Sequence, residues 1–290
     1  MMQESELNVM KNTLNAQASL LNEYVARQES ILTAFSKTPC VRDFLKNVNN
    51  SEQQAIVQSY TADYYSGLNN WEGIYIGEWN THIVAHSNSK VIGMTTRKGD
   101  SLKALQDAMT QRNGLYDAGI IVSPSSGELI LSMYCPVFDT DGKTILGYVG
   151  GGPFVKELEK QLYNLKSEND TLRYYMVNTE TNMYIFADDS SLIATDIHDD
   201  MLLNIIDKIK SGETSGDLNY KKGSDSFVAS YQSIAEHGWA MVSYDSEKNI
   251  YENVHKNMRI LGLICIIFVL IISVLAFITI AISVRPLLYV

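Results

Sequence analysis

One stretch breaks with the rest of the chain: residues 260–284 read ILGLICIIFVLIISVLAFITIAISV, 25 positions without a charge. The hydrocarbon core of a bilayer takes about 20 apolar residues in helical form, so this segment is predicted to span it with some tilt. A buried helix of a soluble protein normally keeps a polar stripe. Here Ser273, Thr279 and Ser283 are the only polar members.

At the other end the pattern is a seam. Leu7, Met10, Leu14, Leu21, Tyr24, Ile31 and Phe35 recur three and four residues apart once Gln17 and Gln28 fill the gaps. That heptad spacing predicts a helix over residues 3–38, stopped by Pro39. The seam has two readings: a helix lying along its own domain's core, or a dimer contact. Both can hold on different faces.

Between these helices the period shifts to strands and turns. A helix over residues 52–65 precedes a hairpin, 73–79 and 83–86, turning at Asn80 and Thr81. A loop (87–99) leads to a helix over 101–111 with Asp100 as its N-cap. Strands follow at 115–122, 128–137 and 144–151, separated by the turns SPSSG and DTDG, and a helix from Pro153 to about residue 167 closes the unit. The order predicts a small antiparallel sheet with helices on one side. Residues 174–197 then echo residues 73–96, followed by a helix over 200–210 and strands at 213–220, 226–234 and 239–244. From position 247 a helix runs into the apolar span. The expected fold is α+β, with two tandem antiparallel-sheet modules between a long N-terminal helix and a C-terminal transmembrane helix. The expected divisions are 1–44 (front helix), 45–166 and 167–247 (modules), 248–284 (rear helix) and 285–290 (linker).

A formal charge of −10 without a basic cluster argues against nucleic acid or anionic lipid as a partner. The first residues, MMQESELNVMKN, lack the apolar core of a signal peptide. We expect both ends to be truncated, with a first membrane helix and a cytoplasmic output region lying beyond them. Lys256 and Arg259 before the span and Arg285 after it leave the orientation open. Cys265 falls in the span, so Cys40–Cys135 is the one disulfide possible outside it, and unpaired, mostly buried thiols are the expectation.

Three passages resemble the double Cache sensor domain, a pair of PAS-like modules outside the membrane in bacterial chemoreceptors, histidine kinases and diguanylate cyclases. Ala85-His86-Ser87 through Ile92-Gly93 resembles the family's "a-h-p-d-…-l-v-G" segment. Residues 123–151, SPSSGELILSMYCPVFDTDGKTILGYVGG, resemble its paired strands, and Arg285-Pro286-Leu287 resembles the start of a HAMP linker. The resemblance implies sensing of a small organic ligand, a carboxylate among the candidates, in the first module. It also implies a homodimer in the cell membrane with residues 1–259 extracytoplasmic, and contact with cytoplasmic signalling proteins through the missing output domain. That output is most often a methyl-accepting chemotaxis domain. A histidine kinase or diguanylate cyclase output, or a structural surface module without a ligand, are the other readings. Relatives that bind amino acids carry Arg, Trp and Tyr after the "v-G" segment and an Asp in the last strand of the first module. This chain keeps Arg97, has no Trp or Tyr in residues 98–109, and has Gly152 where the Asp aligns.

The candidate ligand-binding residues are Trp79, His82, Arg97, Tyr116, Asp117, Met133 and Tyr134. Arg97 leads, because a planar guanidinium pairs bidentately with a carboxylate. Within each neighbouring pair, Tyr116/Asp117 and Met133/Tyr134, alternation sends the side chains to opposite faces, and the sequence does not say which face is which. His82 and His86 share a face in a strand but stand about 13 Å apart, too far for one ion. No metal site, cofactor or catalytic residue is expected. Gly150-Gly151-Gly152 reads as a strand end needing close backbone approach, and the acid pairs Asp188-Asp189 and Asp199-Asp200 as turns and caps.

Overall fold

The computed structural model describes residues 2–123, 125–163 and 171–284. The front helix, α1 (Met2–Ser36), ends where expected, but the chain does not stay out of helix. Thr38 is extended, as the residue before a proline is driven to be, and Pro39 then opens α2 (Pro39–Lys46) as its first residue. Helix α3 (Ser51–Ser66) is capped by the Asn50 side chain, which accepts from the Gln53 N–H at 3.1 Å.

Two five-stranded antiparallel sheets follow. The first contains β1 (Trp71–Glu78), β2 (Ile83–His86), β3 (Tyr116–Val122), β4 (Leu129–Phe138) and β5 (Ile145–Pro153), in the order β2-β1-β5-β4-β3. The second contains β6 (Arg173–Asn178), β7 (Met183–Ala187), β8 (Ser215–Lys222), β9 (Asp225–Ile234) and β10 (Trp239–Ser246), in the order β7-β6-β10-β9-β8. The two orders are the same permutation, so the echo between residues 73–96 and 174–197 is a structural repeat. Detail matches as well. Each hairpin carries a bulge, at Ile76/Gly77 and Met176/Val177, and each has a bridge to the loop beyond, His82↔Thr95 and Met183↔Asp196. Gly93 and Ala194 take the same left-handed turn at φ 87° and 62°. Asn88 and Asp189 cap the matching short 3-10 turns.

Helix α4 (Gly99–Arg112) lies over the first sheet and α6 (Asp200–Lys210) over the second. Asp199 caps α6, accepting from Met201 and Leu202. Asp100 does not cap α4: the helix begins at Gly99 after Lys98, with no side-chain cap, and Asp100 falls in its first turn. There a carboxylate still faces the positive end of the helix. Helix α5 (Val155–Tyr163) follows β5, and the expected continuation to residue 167 lies outside the described residues, as does the linker at 285–290. The exposed end of the first sheet is covered by α3. Gln58 donates to His86 O at 3.0 Å and accepts from His86 N at 3.1 Å, replacing the strand β2 lacks.

Helix α1 crosses the other face of both sheets, packing on β4 and β5 and on β9 and β10. Most of its seam is buried within this one chain: Met10, Leu14, Gln17, Leu21, Gln28 and Phe35 are covered, and Leu7, Tyr24 and Ile31 are half-buried. The resulting core is continuous. Leu21 and Val25 of α1 join Ile74 and Met133 of the first sheet to Met176, Trp239 and Met241 of the second. Finally, α7 (Glu247–Val284) leaves directly from β10. Within it Met258–Ile278 is long and apolar enough to cross a membrane, with a mean hydropathy of 3.3 and none of it buried. Cys40, Cys135 and Cys265 are free thiols.

Candidate functional site

Register decides which face of the first sheet can meet a ligand. Tyr75 pairs with Gly150, Gly77 with Tyr148, Gly150 with Tyr134, and Tyr134 with Tyr116. All of these point to the α4 side. A Cβ at Gly77 would run into the Tyr148 ring, and one at Gly150 into the Tyr75 ring. Each glycine is therefore the floor on which a tyrosine lies flat. The four tyrosines form one array: Tyr75 and Tyr148 meet edge to face at 6.0 Å, Tyr134 and Tyr148 lie 6.1 Å apart, and Tyr116 and Tyr134 are 6.5 Å apart. Leu105 and Met109 of α4 cover it, and Trp79 packs at its edge. His86 stacks on Tyr75 at 5.2 Å and accepts from Asn88 N–H through Nδ1, and burial lowers its pKa.

Arg97 enters this array from the loop before α4. Its backbone is tied to Thr81, whose hydroxyl accepts from Arg97 N at 3.0 Å and donates to Arg97 O at 3.1 Å. Thr81 is left-handed at φ 65°, so the hairpin turn and the Arg97 loop are locked together. The guanidinium donates to Tyr134 Oη at 3.0 Å and lies 5.4 Å from that ring's centre. Among the described residues that is its one side-chain hydrogen bond, leaving four of five donors for another acceptor. Burial raises the pKa of both the Tyr75 and the Tyr148 hydroxyl, so both remain neutral. Tyr148 Oη reaches toward the Thr96 hydroxyl but has no partner within hydrogen-bond geometry.

The structure thus gathers Trp79, Arg97, Tyr116 and Tyr134 on one face. His82 lies beside them in the hairpin turn, its N–H donating to the Asn80 side chain at 2.9 Å. Asp117 and Met133 go the other way. Met133 is fully buried against α1 in the main core, and Asp117 lies under the sheet, so neither can meet a ligand beneath α4. The sequence reading missed Tyr75 and Tyr148. Their signal was the glycines two positions along each strand, Gly77 and Gly150, since a bare strand position invites an aromatic ring to cover it.

Asp117 occupies a bulge that runs to Ile120, with Gly119 left-handed at φ 83° and its N–H donating to Asp117 Oδ1 at 2.7 Å. Burial raises the Asp117 pKa to about 7, against the Gly119 hydrogen bond.

The second module differs on the matching face. Its helix α6 lays Met201, Leu202, Ile205 and Ile206 on the sheet beside a second group of tyrosines, in which Tyr175 lies 5.6 Å from Tyr184 and stacks on Tyr244 at 5.2 Å. Arg173, the one arginine of residues 171–247, is exposed, so no counterpart of Arg97 covers these rings. A cleft of about 680 Å³ lies elsewhere, at the start of α5, lined by Asn70, Glu128, Lys156, Glu157 and Lys160 around Leu129 and Phe154.

The exit from the second sheet is also built. Asp245, buried at the end of β10, accepts from Thr171, from Ser246 N at 2.6 Å and from Asn249 Nδ2 at 2.8 Å. Ser246 Oγ accepts from Asn249 N at 3.1 Å. The first turn of α7 is thereby held to the last strand, and α1 lies alongside α7.

Two like-ordered PAS-type sheets, the first receiving an arginine over its tyrosines, are strung on a shared helix and lead into an apolar one. The family comparison agrees: the Cache domain model matches residues 1–254, and the chain belongs to that family. Among solved structures it is similar to the sensor domain of the V. cholerae histidine kinase DctB, at a TM-score of 0.62 and 14% identity, covering 85% of this chain and 99% of that one. The sensory domain of the Campylobacter jejuni chemoreceptor Tlp3 with isoleucine bound matches at 0.61 and 14%, covering 85% and 95%. The ligand-binding domain of Mlp24 with asparagine matches at 0.64 and 13%, covering 87% and 98%. No curated protein sequence matches this chain.

Proposed function

We propose that this chain is the small-molecule-sensing region of a bacterial membrane receptor, without catalytic activity of its own, and that it binds its ligand on the tyrosine face of the first module. The observation that carries this reading is Arg97, held by Thr81 and Tyr134 with most of its donors unspent above four tyrosines. A guanidinium so placed binds a carboxylate through two parallel hydrogen bonds. The ring hydroxyls supply further donors and acceptors, and the ring faces an apolar wall.

The similar structures of Tlp3 and Mlp24 contain isoleucine and asparagine, which makes amino acids the first ligands to try. The ammonium end is the difference. At Gly152 a Cβ would collide with the Leu131 carbonyl, so no side chain fits there, and Asp117 faces away. The ligand class is therefore a small carboxylate in which an ammonium is not required. By this proposal residues 1–259 lie outside the cell membrane, the chain works as a homodimer, and binding shifts α7 through β10. The signal passes to a chemotaxis signalling domain. The likeness to DctB supports a histidine kinase output as the second reading.

The test is a thermal-shift screen of the detergent-solubilised chain with small mono- and dicarboxylates, isoleucine and asparagine. A ligand at a hundredfold excess over its Kd adds about 2.7 kcal/mol, an upward shift of a few degrees. Calorimetric titration of Arg97→Ala should then show at least a tenfold loss of affinity, since a hydrogen bond to a charged group contributes about 1.5–3 kcal/mol. A silent panel, or equal affinity in the variant, would refute the reading.

A further inference from the structure

Beneath the first sheet, on the side away from the tyrosines, three ionisable side chains from distant parts of the chain converge. Glu29 comes from the last third of α1, Asp117 from the bulge of β3, and His237 from the 3-10 turn before β10. His237 Nδ1 is 3.7 Å from Glu29 Oε1 and 3.6 Å from Asp117 Oδ2, and one donor atom from each residue lies within 4.8 Å of the other two. The side chains of Asp117 and His237 are 2% and 4% exposed. Yet Asp117 Oδ2 and both ring nitrogens of His237 have no hydrogen-bond partner. Such groups are ordinarily satisfied, because an unpartnered buried polar atom costs free energy.

We propose that this junction is a binding site for one divalent transition-metal ion, zinc being the best fit, with Glu29, Asp117 and His237 as its protein ligands. The spacings are too long for hydrogen bonds and suit atoms that share an ion. Two ligands each about 2.1 Å from a tetrahedral centre stand about 3.4 Å apart, so small side-chain rotations complete the site. The imidazole favours a transition metal over magnesium or calcium, zinc accepts both imidazole and carboxylate donors, and three ligands leave a fourth position open to water. The hydrogen bond from Gly119 N to Asp117 Oδ1 fixes the carboxylate so that Oδ2 faces His237, an outer contact of the kind that orients metal ligands. Two further charges act on the cluster, Glu236 and Arg112, and the Arg112 guanidinium lies over the Tyr116 ring at 5.7 Å. Among the described residues it makes no hydrogen bond or ion pair with either carboxylate. A bound ion would join the front helix, the first sheet and the second sheet at one point, across the route from the tyrosine face to β10.

The site is tested on the full chain in detergent, stripped with chelator and dialysed against Zn²⁺, with Ca²⁺ as the hard-cation control. The expected result is one equivalent of zinc per chain, a rise in Tm with zinc and none with calcium. Asp117→Asn keeps the acceptor for Gly119 and should lose zinc binding at least tenfold. In metal-free protein at pH 8, where the carboxyl is ionised, the same change should raise Tm, because it removes a buried charge without a hydrogen-bond partner on Oδ2. His237→Gln should lose zinc binding equally. Glu29→Gln, on the more exposed flank, serves if a buried variant fails to fold. Absence of stoichiometric zinc, or binding that survives unchanged in these variants at the other histidines, would overturn the proposal. The outcome is independent of the organic ligand, because none is present in the titration.

Discussion

At the scale of single residues, what distinguishes the first module is where it has no side chain. Gly77 and Gly150 allow Tyr148 and Tyr75 to lie on the sheet, and Gly152 lets β5 pass against the Leu131 carbonyl. Replacement at these positions meets different obstacles. At Gly152 a methyl group meets main-chain atoms that cannot swing away, so Gly152→Ala should cost at least about 2 kcal/mol. Gly142 faces open space and is costly only through its φ of 66°, so Gly142→Ala should cost about 1 kcal/mol. Denaturant titration of the two variants should separate them in that order. Equal losses would mean that the close approach at 152 is not a constraint.

At the scale of elements, the long front helix gives a sharper test. Gln28 sits in the apolar seam, buried, and its Oε1 accepts from Trp71 Nε1 at 2.9 Å. If the seam served mainly as a coiled-coil contact, Gln28→Leu would remove a polar fault and stabilise the helix pair. In the structure it instead orphans a buried indole N–H, which costs about 1–3 kcal/mol. A lower Tm in Gln28→Leu is the expected outcome, and a higher one would return the seam to the dimer reading. Pro39 belongs to this scale too. It ends one helix by forcing Thr38 out of helical geometry, and then starts another because its ring suits the first position.

For the whole molecule, the shared core matters most. Leu21 and Val25 pack in one cluster with Ile74 of the first sheet and Trp239 of the second, so neither module has this core to itself. The soluble part should therefore melt in one transition despite its two sheets. Leu21→Ala, at a position 2% exposed, should lower that single Tm by an amount equivalent to about 2–5 kcal/mol. Calorimetry with hydrogen exchange followed on β4 and β9 checks this. Two separated transitions, or loss of protection in one sheet alone, would show the modules to be independent. The same continuity gives a displacement at the tyrosine face a packed route to β10, and Asp245 and Ser246 clamp α7 to that strand.

The sequence by itself determined the elements and their repetition, because periodicity, caps and turns act over a few residues. The apolar span, the two hairpins, the Asp199 cap and the echo between the modules were all legible in this way. Of the candidate site, Arg97, Trp79, Tyr116 and Tyr134 could be named by type. Alternation, however, states only that Tyr116 and Asp117 oppose each other, and so do Met133 and Tyr134. Which of them faces α4 follows from strand pairing and from the helix α1 lying beneath, and these long-range contacts have no local signal. The tertiary structure alone sent Asp117 and Met133 under the sheet, turned the front seam toward its own chain, and brought Glu29, Asp117 and His237 together. That cluster draws one residue from each of three distant stretches, and only the packing of two sheets on one helix gives them a common position.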